Sequence, residues 1–332
     1  MRWPWSPRRS AQRLLVRRAG DQHAFVLIDG PPNHHGDDQP ARLLRWGLMP
    51  EAKPVAAGEA IALLDPADYQ ILKVDTPNVP QEELKPAARW QVKELVDVDV
   101  AELTLDVMHV GGDVDRAQRQ LFVVAARNAA IKALTSGAAA LSDHISVVDI
   151  WETALRNLLS AQARADDLAA RACAAVLIDE QHCLLVVCAG DELFYTRRLE
   201  NDPALLARAR GEQTEAAAAE LPLGFEYQPG GSFDSVSNQE SPLVVELQRS
   251  IDVWERSWPD LPLARLYVIT AEHGPELAAL VQRELGQRTV ALDALAAFVP
   301  ERPAPEGGST AQALAACLPL LGAALRTETR KL

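Results

Sequence analysis

The order of apolar and polar positions predicts a chain that begins with β-strands. Residues 13–17 and 23–28 are mostly apolar and flank Ala19-Gly20-Asp21, so they predict a β-hairpin. A third strand is predicted at 41–48, after a polar loop. The same pattern predicts further strands at 60–64, 69–74, 103–110, 120–126 and 145–150, and helices that begin at Pro80, Asn128 and Trp151.

The second half of the chain repeats this order of elements. Strands are predicted at 174–178, 184–189, 193–199, 264–269 and 289–292, with helices at 204–220, 243–258, 275–285 and 310–326. The repetition predicts two similar α/β lobes. We therefore divide the chain into a basic N-terminal tail (1–12), a first lobe (13–163), a second lobe (164–300), a Pro/Gly-rich linker (301–308) and a terminal helix (309–332) that packs on the lobes.

Composition narrows the class of protein. The chain has 332 residues, of which 48% are hydrophobic, enough for a sizeable core. Its net charge of −13 argues against a nucleic-acid binder, which needs a broad basic surface. Arginines and two tryptophans precede the first acid, Asp21; this tail is either a solvated terminus or a contact for an anionic membrane surface.

Several features place the chain in the cytoplasm. We find no signal peptide, and the most apolar stretch, 311–325, is too short for a membrane span and contains Pro319. The four cysteines have no spacing typical of a disulfide framework, which favours reduced, buried thiols. We expect a cytoplasmic protein that meets the membrane only at its surface.

Motifs of the common enzyme classes are absent from the sequence. It contains no GxxxxGK loop, no GxGxxG after a strand, no GxSxG and no HExxH. His34, His35, Asp37 and Asp38 form the one cluster with metal-ligand chemistry, and a solvated turn explains them better because adjacent side chains point apart. We expect a binding protein, with no catalytic residues and no metal site.

Two longer segments carry a more specific signal. The first is 79–97 (VPQEELKPAARWQVKELVD) followed by 105–107, and the second is 245–252 (VELQRSID) followed by 266–269. Together they resemble the PilM family of pilus-assembly proteins, and most closely its MshI branch, which serves the biogenesis of the MSHA type IV pilus. The resemblance implies an actin-like (ribonuclease H-like) two-lobed ATPase fold with an inserted subdomain in the first lobe, at about 60–110.

The resemblance also implies a partner. In this family a groove beside the inserted subdomain receives the N-terminal cytoplasmic segment of a PilN-like inner-membrane pilus protein, and the scaffold connects it to the assembly motor ATPase. A more distant similarity to the cytoplasmic part of the type II secretion protein GspL is an alternative. The candidate partner-binding residues are Ile71, Val74, Leu84, Ala88, Arg89, Trp90 and Val92. Core packing is the alternative for each, and Trp90 beside Arg89 has the strongest character of an interface anchor.

The nucleotide chemistry of the implied fold can be checked against the residues. An actin-like ATPase needs glycine-rich turns and a metal-organising carboxylate. Here Arg17 and Arg18 precede Gly20, Gln181 follows Asp179 where a glycine is expected, and the third element has a single glycine, Gly274. We expect a degenerate nucleotide site at Gly20, Asp179, Gln181 and Gly274 and no cofactor. An actin-like switch or weak ATPase that binds ATP and Mg²⁺ is the competing hypothesis.

Overall fold

The computed structural model describes residues 12–29, 41–49, 53–55, 57–111, 119–142, 144–212, 241–302 and 304–327. Residues 1–11 of the predicted tail (1–12) and the His34–His35 loop lie outside these residues, whereas Gln12 begins the first strand. In chain order the elements are β1 (Gln12–Ala19), β2 (Gln22–Asp29), β3 (Ala41–Met49), β4 (Glu59–Leu63), β5 (Tyr69–Asp75), α1 (Leu84–Val92), β6 (Leu103–His109), β7 (Gln120–Arg127), α2 (Asn128–Ala138), β8 (Ile145–Asp149), α3 (Trp151–Ala165), β9 (Ala172–Ile178), β10 (Cys183–Ala189), β11 (Glu192–Leu199), α4 (Pro203–Ala209), α5 (Pro242–Ser257), β12 (Leu263–Ile269), α6 (Gly274–Leu285), β13 (Thr289–Ala291), β14 (Phe298–Pro300) and α7 (Thr310–Ala324).

Two mixed sheets form the two lobes. The first has the order β14-β3-β2-β1-β4-β8 and the second has the order β11-β10-β9-β12-β13. In each, antiparallel hairpin strands continue into parallel strands, which are β4 and β8 in the first sheet and β12 and β13 in the second. The predicted repetition of one α/β lobe is therefore confirmed at the level of topology.

Helices α7 and α3 lie between the two sheets. The terminal helix α7 contacts β1, β2, β3 and β4, whereas α3 contacts β9, β10 and β11, and the two helices pack against each other. Ser309 begins α7 by accepting a hydrogen bond from the backbone N–H of Gln312. In the part of the chain that the structure describes, no helix has the length and apolar character needed to cross a membrane.

The inserted subdomain is a third sheet, of order β5-β7-β6, covered by α1. Its core contains Leu84, Ala88 and Val92 of α1 and apolar residues of all three strands. The predicted bounds of about 60–110 are wrong at both ends. Strand β4 belongs to the first sheet, because it pairs with β1 and β8, and β7 is the central strand of the inserted sheet.

The predicted linker at 301–308 follows β3 closely and is ordered by it. Strand β14 pairs with β3, so the predicted end of the second lobe at residue 300 also falls inside the first sheet. Beyond it, the N–H of Glu301 donates to the carbonyl of Leu43, and Glu306 exchanges backbone hydrogen bonds with Trp46 and Leu48. The edge of β3 would otherwise leave these backbone groups unpaired, which explains why a Pro/Gly-rich segment is held here.

One ion pair fastens this segment, and it predicts a pH effect. The two guanidinium nitrogens Nε and Nη2 of Arg45 donate to the two carboxylate oxygens of Glu306 at 2.6 and 2.7 Å. These hydrogen bonds lower the pKa of Glu306, so the pair stabilises the fold above the unfolded-state pKa of about 4.3 and is lost as the pH falls below it. We expect Glu306→Gln to lower the free energy of unfolding at pH 7 by about 0.5–1 kcal/mol, since the pair is partly exposed to solvent.

The measurement is urea unfolding at neutral and acidic pH. The difference between Glu306→Gln and the unmodified chain should disappear as the carboxyl is protonated. Glu301→Gln is the matched control, because Glu301 pairs with Arg42 on the same segment with both side chains about half exposed. An equal loss at both pH values would show that the ion pair is not the cause.

Candidate functional site

The first candidate site is a cleft between the lobes. Its walls are the β1–β2 hairpin, the β9–β10 hairpin, the loop at 270–273 and the start of α7, and they enclose a cavity of about 510 Å³. That volume is within the range of small-molecule sites, about 300–1,000 Å³. Of the four residues assigned to the degenerate nucleotide site, Gly20, Asp179 and Gln181 line the cleft, whereas Gly274, the first residue of α6, is not part of its lining.

A buried cation occupies the hairpin of the first lobe. The Nε of Arg17 donates to the carbonyl of Ala316 at 2.8 Å, and its Nη1 lies 3.8 Å from a carboxylate oxygen of Asp65. The guanidinium also lies 4.9 Å from the centroid of the Trp151 ring. Burial lowers the pKa of Arg17, and the neighbouring charge of Asp65 opposes that shift. The hairpin near Gly20 therefore carries a buried positive charge that is paired with Asp65.

The carboxylate of Asp179 is bound within its own turn. It accepts hydrogen bonds from the backbone N–H groups of Gln181 at 2.7 Å and His182 at 2.6 Å, and the His182 Nδ1 lies 3.1 Å from its Oδ2. Burial alone would raise the pKa of Asp179, but these hydrogen bonds outweigh it and the pKa is lowered. The charged form of Asp179 is thus stabilised by local donors. Among the described residues, no three His, Cys, Asp or Glu side chains are grouped so as to hold a metal ion.

The second candidate site is a groove beside the inserted subdomain. A cavity of about 680 Å³ lies between the β1–β2 hairpin, the turn at 63–68 and the small residues Ala130, Ala133 and Gly137 of α2. A second cavity of about 270 Å³ lies between residues 67–70, 96–98 and the start of α2. Both are lined by Asp68 and Ala130, so they adjoin, and together we call them the subdomain groove.

None of the predicted partner-binding residues lines the subdomain groove. Val74, Leu84, Ala88 and Val92 are buried in the core of the inserted subdomain, which corrects their assignment to a binding surface. A helical apolar stripe has the same spacing whether it faces a core or a partner, and here it faces the three-stranded sheet.

The other three candidates have different environments. Arg89 donates to the carbonyls of Val100 and Leu103 and so holds the end of α1 on the sheet. Ile71 is partly buried against the core. Trp90 is 75% exposed, and the described residues place it on the outer face of α1, outside the linings of both cavities of the subdomain groove. Its role as an interface anchor stays a prediction.

A buried polar network joins the groove to both lobes. The hydroxyl of Tyr69 donates to the carboxylate of Glu152 at 2.5 Å and accepts from the N–H of Trp151 at 3.1 Å. Arg198 of β11 lies 3.4 Å from the other oxygen of Glu152 and 4.6 Å from the centroid of the Tyr69 ring. Burial raises the pKa of the Glu152 carboxyl, while the Tyr69 hydrogen bond and the Arg198 charge oppose that rise.

Sequence reasoning missed the residues that line the groove. The wall on α2 consists of alanines, Gly137 and Leu134, and the opposite wall contains Asp65 and Asp68 on a turn. One signal was present: Ala130, Ala133 and Gly137 recur at helical spacing and form a stripe of small residues on one face of α2. Small residues let another chain approach a helix closely, but which segment they face depends on packing that is distant in sequence.

Comparisons with known proteins identify the fold. No protein-family model and no curated protein matches the chain. Among solved structures, a chain of a PilM-PilN type IV pilus biogenesis complex is similar with a TM-score of 0.62 and 19% identity, covering 96% of this chain and 100% of that chain.

Two weaker similarities have TM-scores below 0.5 and support no inference about this chain. The cytoplasmic domain of EpsL, an inner-membrane component of the type II secretion system of Vibrio cholerae, has a TM-score of 0.41 and 10% identity, covering 96% of both chains. A Bacteroides thetaiotaomicron protein with an actin-like ATPase fold and unknown function has a TM-score of 0.39 and 8% identity, covering 85% of this chain and 91% of that one. With its two related sheets and its inserted subdomain, this chain has the actin-like two-lobed fold.

Proposed function

We propose that this protein is a cytoplasmic scaffold of a type IV pilus assembly platform, within the MSHA-like branch, and that it docks the N-terminal cytoplasmic segment of a PilN-like inner-membrane protein. Two kinds of observation support the proposal. The fold is shared over 96% of this chain with a chain of a PilM-PilN complex. The two motifs at 79–97 and 245–252 resemble the same family.

The observation that carries the proposal is the open subdomain groove. Ala130, Ala133 and Gly137 present small side chains along the α2 wall, beside Leu134, and the two cavities adjoin at Asp68. An extended peptide needs such a continuous channel, with apolar contacts and a few polar groups that fix its direction. The polar groups here include Asp65 and Asp68 on one wall and Arg127 at the far end.

The docking proposal is tested by calorimetric titration. The full chain is titrated with a synthetic peptide that has the sequence of the N-terminal cytoplasmic segment of the PilN-like protein encoded in the same genome. We expect saturable one-to-one binding in the micromolar range, about −8 kcal/mol. A scrambled peptide of the same composition is the control. Equal binding of both peptides, or of neither, would contradict the proposal.

We propose further that the interlobe cleft does not support ATP hydrolysis. The charge of Asp179 is held by Gln181 and His182, and a paired Arg17 stands near Gly20. Asp179 is bound within its own turn and so is not placed to organise Mg²⁺, and Glu180 and Glu272 in the cleft lining would repel a triphosphate. We expect titration with labelled ATP and Mg²⁺ to show no micromolar binding. Micromolar binding that Asp179→Ala abolishes would contradict this.

A nucleotide-dependent switch is the second candidate function. The cleft of about 510 Å³ is large enough for a small molecule, and it keeps Asp179 in its wall. The same ATP titration separates the two candidates.

The scaffold proposal has two further parts. We propose that the protein connects its partner to the assembly motor ATPase and that the PilN-like partner alone holds it at the inner membrane. A role in a GspL-related secretion system would instead appear as binding of a secretion-system peptide in the same assay.

A further inference from the structure

An arginine of the second lobe holds one wall of the subdomain groove. Arg198 is on β11, and its Nη1 donates to the carbonyls of Pro66 at 2.5 Å and Tyr69 at 3.2 Å. Pro66 belongs to a single 3₁₀ turn, Pro66–Asp68, and Tyr69 follows it. Asp68 and Tyr69 both line the groove. The wall therefore depends on a side chain from outside the first lobe.

A second contact ties the inserted subdomain to the same strand. The N–H of Gly111 donates to the carbonyl of Leu193 at 2.8 Å. The ring of Phe194 packs on Gly111 so closely that a Cβ there would lie 2.5 Å from it, and Gly111 has a φ of +70°. Strand β11 thus holds the subdomain at Gly111 and the groove wall at Arg198. A shift of β11 relative to the first lobe would act on both.

The groove and the cleft are also separated by a thin wall. Arg17 and Gly20 line both the groove and the cleft, since the β1–β2 hairpin lies between them. Arg17 reaches Asp65, which precedes the Pro66–Asp68 turn. Polar contacts from the cleft side and from the second lobe therefore converge on this one turn.

We infer that occupancy of the subdomain groove is coupled to the second lobe through the Arg198 contacts with the turn at 66–69. The inference rests on the proposed docking of a peptide in that groove, and it assigns Arg198 as a positioning residue. A peptide that orders the turn also orders the acceptors of Arg198, and hence β11. Coupling free energies are reciprocal, so a contact that moves the second lobe changes the affinity of the groove for its peptide.

Hydrogen exchange of the full chain with and without the PilN-like peptide tests this inference. Binding should slow exchange at α2 (128–138), which reports groove occupancy. It should also slow exchange at β11 (192–199), by about twofold or more, although β11 does not line the groove. In Arg198→Ala, the protection at α2 should remain while the added protection at β11 disappears.

The matched control is Arg164→Ala. Arg164 of α3 pairs with Asp191 beside β11 and so also contacts the start of that strand, but both side chains are about half exposed and neither is part of the groove lining. The control should transmit protection to β11 as the unmodified chain does. If Arg198→Ala shows no cooperative unfolding, Arg198→Lys replaces it, since one ammonium group cannot span the acceptors on Pro66, Tyr69 and Glu152.

The outcomes distinguish the inference from the proposed function. Absence of protection at α2 in the unmodified chain would contradict peptide docking, and the inference would fall with it. Protection at α2 without protection at β11 would leave docking intact and overturn the coupling. Protection at β11 that persists in the Arg198 variant would show that another path connects the two regions and would also overturn the inference.

Discussion

Replacing Gly322 with leucine is expected to lower the free energy of unfolding by about 3 kcal/mol. Gly322 lies on α7 where it crosses α3, and a Cβ built there would lie 2.2 Å from the backbone carbonyl oxygen of Ala154. The obstructing atom is backbone, so relief requires the two helices to move apart. Because α7 and α3 lie between the two sheets, their separation would loosen the join between the lobes.

Urea unfolding measures this effect, and Gly137→Ala is the matched control. Gly137 is also a helical glycine, but nothing lies within 4 Å of a Cβ built there. Its replacement by alanine should stabilise the chain slightly, by up to about 1 kcal/mol, because alanine favours the helix. If Gly322→Leu had the same free energy of unfolding as the control, that result would contradict the close contact between α7 and α3 at this residue.

Replacing Gly137 with tryptophan is expected to weaken binding of the PilN-like peptide at least tenfold, about 1.4 kcal/mol. Gly137 is exposed and lines the larger cavity of the subdomain groove, so an indole ring there would occupy the space proposed for the peptide. Because nothing lies within 4 Å of a Cβ built at Gly137, the ring need not disturb the fold. The calorimetric titration with the peptide measures the loss of affinity.

Ser136→Trp is the matched control for the groove. Ser136 is the neighbouring exposed residue on α2, and it is not part of the lining of either cavity. The same ring placed there should leave peptide affinity unchanged. Equal affinities of the two variants for the peptide would mean that the peptide binds outside the subdomain groove.

Elements with strong local signals were predicted closely from the sequence. Helix α5 was predicted at 243–258 and spans Pro242–Ser257, because its amphipathic spacing is regular and Ser241 caps it by accepting from the N–H of Val244. The two hairpins that begin the lobes were also predicted, since each has two apolar runs around a short polar turn.

Elements that depend on distant partners were not predicted. The Pro/Gly-rich segment at 301–308 has no strand signal of its own, and backbone hydrogen bonds to the edge of β3 and ion pairs with Arg42 and Arg45 hold it. Dependence on distant contacts also explains why residues of α1 were assigned to a partner-binding surface when they are buried in the core. The spacing of Leu84, Ala88 and Val92 shows one apolar face, but the three-stranded sheet that covers it includes β7, which is distant in sequence. The groove forms where α2 meets the β1–β2 hairpin, and the stripe of small residues on α2 does not indicate which segment it faces.

Site-specific photo-crosslinking in cells tests the central claim most directly. A photoreactive residue is placed at Ala133 in the groove, at Trp90 on the outer face of α1, or at Val253 on the exposed side of α5. The account predicts that position 133 captures the N-terminal segment of the PilN-like protein and that position 253 does not. Capture of that segment from position 253 or 90, with none from position 133, would contradict it.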